Sequence, residues 1–296
     1  MDPKLVHSDR LLDGDYRAGN KKKTAGITPP PPDPAFQAIC TRQFLTTSEG
    51  PLGFRRSPPA LFDSADFSAS LRFFRNISWS PSKAIPADLI VPVWCRNIVH
   101  YTDVASHIPE LRSLEPDDQL TLLADRCIPS LFLLLLQRTL EHTTKRCIVT
   151  TGGMFLPVEA DDAEELSGNA FASYALDVGK QIYRWLFEPL REAEMCPEEF
   201  TFLRLLTFFA GVPRMSARGR EVVRNACLHY ESLFIRFLCS KYDRRTAIER
   251  MGRILAILPL LEQATAFQNN RMVCALLFNV DEIRGTFTHQ LYLGRR

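Results

Sequence analysis

The stretch from Glu115 to Leu136 constrains this chain more than any other. Glu115-Pro116-Asp117-Asp118 puts a proline in a first helical turn and acids at the positive end of the helix dipole. Leucines follow at 120, 122 and 123, and Leu131 to Leu136 is unbroken apolar sequence. A helix apolar on every side must run through the middle of a domain, with other helices covering its flanks. The run is far short of the ~20 residues that a membrane-spanning helix needs, so no membrane association is expected. Pro129 inside the helix predicts a kink.

Helical periodicity continues on both sides. Trp94, Ile98, Tyr101, Ala105 and Ile108 recur at spacings of three and four, between Pro92 and Pro109. Phe171, Tyr174, Val178, Ile182 and Trp185 form a second stripe, and Val223, Ala226, Tyr230, Leu233 and Phe237 a third. Pro197-Glu198-Glu199 opens a short helix to about Ala210, and a last long helix spans about 244–278, interrupted by Pro259. Residues 147–158 place two β-rich triplets around Gly152-Gly153, which predicts one small hairpin. The expected fold is all-α, with that hairpin as its only sheet.

The first 85 residues are different. Eleven of the 20 prolines lie within residues 1–86, and Pro29 to Pro32 follow Lys21-Lys22-Lys23 closely. Such sequence favours extended, solvated backbone, so residues 1–85 are expected to be disordered and 86–296 to form the folded domain. This leader has 12 Lys+Arg against 8 Asp+Glu, yet the whole chain carries only +2. That balance gives no strong field for nucleic acid.

The eight cysteines form no CxxC pair, so a zinc ribbon or finger is not supported and no metal is expected. His100, His107, His142 and His229 lack metal-ligand spacing. No HExxH, GxSxG, P-loop or GxGxxG occurs, and no enzyme is expected. The LxxLL-like string Leu131 to Leu135 lies on so apolar a helix that it reads as core.

Residues 104–123 carry a more specific pattern. Leu111, Leu114, Asp118, Gln119, Leu122 and Leu123 fall at the spacings of the signature of nuclear receptor ligand-binding domains, which this stretch resembles. Leu131 to Leu134 with Gln137 look like the fifth helix of tailless and photoreceptor-type receptors. Glu199 to Phe209 resembles the eighth helix. Arg250 to Pro259 is similar to the tenth-helix segment of the retinoid X receptor branch. The resemblance spans about residues 88–291 and leaves out the family's two-zinc DNA-binding domain, so no direct DNA binding by this chain is expected.

The resemblance implies an antiparallel three-layer helical sandwich, a nuclear location, and transcriptional regulation through partner helices of the LxxLL or corepressor type. It implies a coregulator groove at Ser106, Leu111, Gln119, Leu122, Leu123 and His289, with Asp118 and Gln119 bonding backbone where two helices meet. It implies a homo- or heterodimer contact with nuclear receptors at Arg250, Ile254, Leu255 and Leu258. A hydrophobic acid or lipid, with no other cofactor, would sit near Ile98, Leu131, Leu134, Leu135 and Arg138.

Two departures bear on mechanism. Ser106 stands where the family has a Lys that clamps one end of a coactivator helix, and His289 stands for the Glu that clamps the other. Residues 285–296 contain no acid, so weak activation and a bias to repression are expected. Arg138 has two readings, a partner for a ligand carboxylate or an ordinary pair with Glu141 one turn on. The alternative function is a ligand-independent helical scaffold that dimerises with and sequesters other receptors.

Overall fold

In a computed structural model, residues 79–86, 89–159 and 170–277 are described. A short strand β1 (Lys83–Ala84) leads into helix α1 (Ile90–Ser106), a single turn α2 (Pro109–Arg112) and the long α3 (Pro116–His142). Strands β2 (Cys147–Thr150) and β3 (Met154–Pro157) follow, then α4 (Ala170–Ile182), a π-helical turn (Tyr183–Phe187) and α5 (Glu188–Glu192). The remainder is helical: α6 (Pro197–Phe208), α7 (Ala217–Lys241), α8 (Arg244–Leu255) and α9 (Ile257–Leu277).

Helix α3 is the middle layer of a helical sandwich and packs on α1, α6, α9 and β2. Leu122, Leu131, Leu133 and Leu136 are 0% exposed, as an all-round apolar helix requires. The helix is long and apolar enough to cross a membrane, but 67% of its most apolar window is buried inside the domain. Arg126 ties the layers together: its Nε donates to the Thr207 carbonyl at the end of α6, and its Nη2 pairs with Glu262 on α9 at 2.5 Å.

The hairpin is present, with Gly152 and Gly153 at φ 83° and 69°, where a side chain would strain the backbone. A third strand joins it, because β1 pairs in parallel with β3. The folded part therefore reaches back into the segment expected to be disordered. Trp79 is 5% exposed and Ile85 3%, and Ser82 donates from its amide and its hydroxyl to the Gly153 carbonyl. The rest of that leading segment lies outside the described residues.

The last long helix breaks at Ala256, three residues before Pro259, because the proline ring crowds the carbonyl four residues back, that of Leu255. The same effect accounts for the π-helical turn, which lies immediately ahead of Pro189 and its carbonyl at Trp185.

Asp118 does not join the two helices that flank it. It is 6% exposed and reaches the start of α7, where Oδ1 accepts the Ser216 amide at 2.8 Å and Oδ2 its hydroxyl at 2.5 Å. Ser216 Oγ in turn accepts the Gly219 amide and caps the helix. A Cβ at Gly219 would lie 2.3 Å from Asp118 Oδ2, so this approach is open only to glycine. Gln119 behaves as expected and donates to the Leu114 carbonyl at 2.8 Å.

Candidate functional site

One cavity of about 100 Å³ lies between the first half of α1, α3, the sheet, α4 and α9. Its walls are mainly aliphatic and aromatic, with Ile90, Val93, Trp94, Phe132, Leu135, Ile148, Val178 and Met272 among them. The polar groups are few. Gln268 donates to the Tyr174 hydroxyl at 3.0 Å, and burial pushes the Tyr174 phenol well above its usual range, which keeps it neutral. Thr151 donates to Asn97 Oδ1 at 3.0 Å. Trp94 Nε1 is buried on this wall without a hydrogen-bond partner among the described residues. The volume is small beside the ~300–1,000 Å³ of a drug-sized pocket.

Of the residues expected at a ligand, only Leu135 lines this cavity. Ile98 and Leu131 are 2% and 0% exposed, in core packing away from it. Leu134 lines a separate hollow, with Tyr101, Ala105 and Phe208, between α1, α3 and α6. Arg138 is only 8% exposed, but its Nη1 pairs with Glu141 at 2.7 Å and its guanidinium stacks 5.4 Å from the Trp79 ring. The ordinary helix pair is therefore the one formed, and no cation lines the cavity among the described residues.

The expected coregulator face lies at the junction of α1, α2 and α3. Ser106 is exposed, and its hydroxyl donates to the Asp103 carbonyl at 2.6 Å. Gln119 and Leu123 are half-buried, whereas Leu111 and Leu122 are 5% and 0% exposed and belong to the core. His289 lies outside the described residues. One residue here escapes a motif reading. Arg112 is exposed, and its Nε donates to the Ser106 carbonyl at 3.1 Å, which sets a cation at the negative end of the α1 dipole. A motif that looks only at position 106 cannot find a charge supplied from six residues further on.

The expected dimer face is rearranged. Arg250 does not face outwards. Its Nε and Nη2 bond the two carboxylate oxygens of Glu199 at 2.7 Å each, and Nη2 also meets the Glu194 carbonyl. Burial alone would raise the Glu199 carboxyl. The Arg250 fork and the Cys196 amide outweigh burial and hold it below its ordinary value. Ile254 is 0% exposed and belongs to the core, while Leu255 and Leu258 are half-buried. The outward apolar stripe begins upstream at Ile248, 56% exposed, and continues through Met251 to Leu255 and Leu258. Its spacing of three, four and three is legible in the sequence.

Among the described residues no cluster of His, Cys, Asp or Glu is placed to hold a metal. Residues 76–278 match the family described as the ligand-binding domain of nuclear hormone receptors. The chain is also similar to nuclear hormone receptor family member nhr-4 of Caenorhabditis elegans, 19% identical over 208 residues. That alignment covers 69% of this chain and 40% of the relative, so the chain spans well under half of that receptor's length. A central all-round apolar helix, the sheet beside it and a match over most of the sequence lead to one assignment: this chain belongs to the non-enzymatic nuclear hormone receptor ligand-binding domain family.

Proposed function

We propose that this domain regulates transcription in the nucleus by docking helical coregulators on the face formed by α1, α2 and α3, and that its cavity holds a small neutral ligand. The observation that carries the ligand reading is the cavity wall. It is apolar, and it presents a buried indole N–H at Trp94 with no partner. A compact apolar molecule with one hydrogen-bond acceptor suits that wall better than an acidic lipid, whose carboxylate would meet no cation there.

At the docking face, Arg112 supplies the cation that Ser106 lacks, for the carbonyl end of a bound helix. Residues 285–296 offer no acid for the opposite pole, which favours corepressor over coactivator helices. The branch reading, close to the retinoid X receptor and tailless types, rests on Arg250 to Pro259 and on Leu131 to Leu134 with Gln137. A second reading is a dimerising scaffold, and the exposed Ile248 with the half-buried Met251, Leu255 and Leu258 beside it favours it.

Two measurements test the primary reading. Fluorescence anisotropy should show a corepressor-type peptide binding the full chain more tightly than an LxxLL coactivator peptide. Failure of both peptides to bind the folded chain would leave only the scaffold. Native mass spectrometry should detect a small neutral adduct, lost when Trp94 is replaced by Phe. A fatty-acid adduct would sink the neutral-ligand reading.

A further inference from the structure

Where the start of α6 meets the end of α7, a thiol and a primary amine lie in contact. Cys196 is the N-cap of α6: its sulfur meets the Glu199 amide, and its own amide donates to the Glu199 carboxylate at 2.9 Å. That reciprocal cap holds the sulfur in one place. Lys241, in the last turn of α7, puts its Nζ 3.8 Å from this sulfur. Two further contacts keep the lysine there: the Glu198 carboxylate at 3.9 Å, and the Phe237 ring, whose centroid is 4.4 Å from Nζ. Cys196 is half-buried and open to a small oxidant, whereas Cys127 and Cys147 are closed in the core.

The three groups have complementary chemistry. A thiol oxidised to a sulfenic acid carries an electrophilic sulfur, and a nitrogen nucleophile beside it displaces the hydroxyl. The lysine amine is such a nucleophile, and a carboxylate touching both groups takes the proton that the amine gives up. Glu198 touches both, and the hydrogen bond from the Cys196 thiol holds its carboxyl below the ordinary range, so it is ionised at neutral pH. Burial, then the bond to Glu198, push the Cys196 thiol up to about 11; Glu199 and Lys241 are the other charges facing it. Both partners react in their deprotonated forms, so the chemistry is slow at neutral pH and quickens as pH rises.

We propose that Cys196 and Lys241 form a reversible sulfenamide, a direct Sγ–Nζ bond, when hydrogen peroxide is the oxidant. In the first step the sulfur takes one peroxide oxygen. The S–O bond forms, the O–O bond breaks, the cysteine loses two electrons and the other oxygen leaves as water. In the second step Nζ attacks the sulfur. The S–N bond forms, the S–O bond breaks, and the hydroxyl leaves as water with a proton from the amine. One thiol, one amine and one peroxide thus give one sulfenamide and two waters. A free thiol reverses the bond by attacking the sulfur and returning the amine, and a second thiol then releases Cys196 by disulfide exchange. The link joins residues 45 apart in sequence and braces α6 against α7, beside the Glu199–Arg250 joint.

The test is tryptic peptide mapping of the full chain by mass spectrometry after exposure to hydrogen peroxide, with remaining thiols alkylated. The peptides holding Cys196 and Lys241 should run as one species, about 2 Da lighter than their sum, and separate after dithiothreitol. Its yield at a fixed time should be at least about fivefold higher at pH 9 than at pH 7. Lys241→Arg keeps the charge without the nucleophilic amine, and should stop Cys196 at its sulfenic or sulfinic acid. Cys196→Ser puts a favoured N-cap in place and should fold without forming the link. Oxidised wild type should melt at least about 3 °C above the reduced protein, and oxidised Lys241→Arg should not. The proposal is refuted if, at pH 9, Cys196 stays reduced or is oxidised while trypsin still cleaves after Lys241. It is equally refuted if the linked species is heavier than the sum of its peptides, the mark of a bridge through oxygen.

Discussion

Two arginines of this domain, Arg250 half-buried and Arg96 fully buried, live in opposite circumstances. Arg250 anchors α8 to α6 through a two-pronged bond to Glu199 and a third contact to the Glu194 carbonyl, with the carboxylate also capping its own helix at the Cys196 amide. Arg96 is more deeply buried and has no such partner among the described residues. The first is a finished joint that holds two helices in register. The second keeps its Nε and Nη1 buried without a hydrogen bond among the described residues. Burial alone does not tell what a charged residue does; the count of satisfied atoms around it does.

The comparison breaks most sharply at the finished joint. Removing one member strands the other charge, so Glu199→Ala or Arg250→Ala should each lower stability by about 3–5 kcal/mol in urea unfolding. A loss under about 1 kcal/mol would mean that the pair holds nothing together. The joint also has an acid signature. The Glu199 carboxyl is held below its ordinary 4.5, so its contribution is complete above the unfolded value and is lost as pH falls through the folded one. Between about pH 5 and 3 the wild type should lose stability more steeply than Glu199→Gln. Parallel curves would contradict the assignment.

A second polar joint is the close approach of Asp118 to the start of α7. Gly219→Ala forces a methyl group into the Asp118 carboxylate and should cost about 1–3 kcal/mol by thermal melting. A neutral substitution there would show that Asp118 is free to move. On the outer surface, Ile248→Arg should leave the melting temperature within error and yield a monomer by light scattering. Ile254→Arg should unfold the chain, because Ile254 is 0% exposed. A dimer that persists in folded Ile248→Arg would place the contact elsewhere. The smallest expected effect is at the docking face, where Arg112→Ala should weaken corepressor-peptide binding about two- to fivefold. An unchanged anisotropy curve would leave Arg112 as a cap of α1 alone.

The same contrast explains what the sequence made legible. The central helix can be read because its evidence is local: a proline, two acids and a run of leucines within 21 residues, Pro116 to Leu136, dictate both its start and its burial. The hairpin can be read from Gly152-Gly153 for the same reason. The break before Pro259 and the π-helical turn before Pro189 also have local causes, and only their offset from the proline needed the structure. The partners of the charged groups could not be read. Glu199 lies 51 residues from Arg250, and Ser216 lies 98 from Asp118. The third strand was missed because β1 is two residues long and pairs across a long separation. Most of the expected ligand residues lie outside the cavity, because position on a helix, taken without the tilt of its neighbours, does not tell which of several hollows a side chain meets.

The cavity has a mechanical consequence. An apolar hollow of about 100 Å³ is volume that the folded chain leaves unfilled by its own atoms and that unfolding eliminates. Hydrostatic pressure acts on that difference and favours whichever state is smaller. The end of the domain bounded by α4, the sheet and α9 is therefore its compressible end, and the tightly bonded α6–α8 end its stiff one. A molecule that fills the hollow removes the compressible volume, so occupancy and resistance to pressure become two readings of one property.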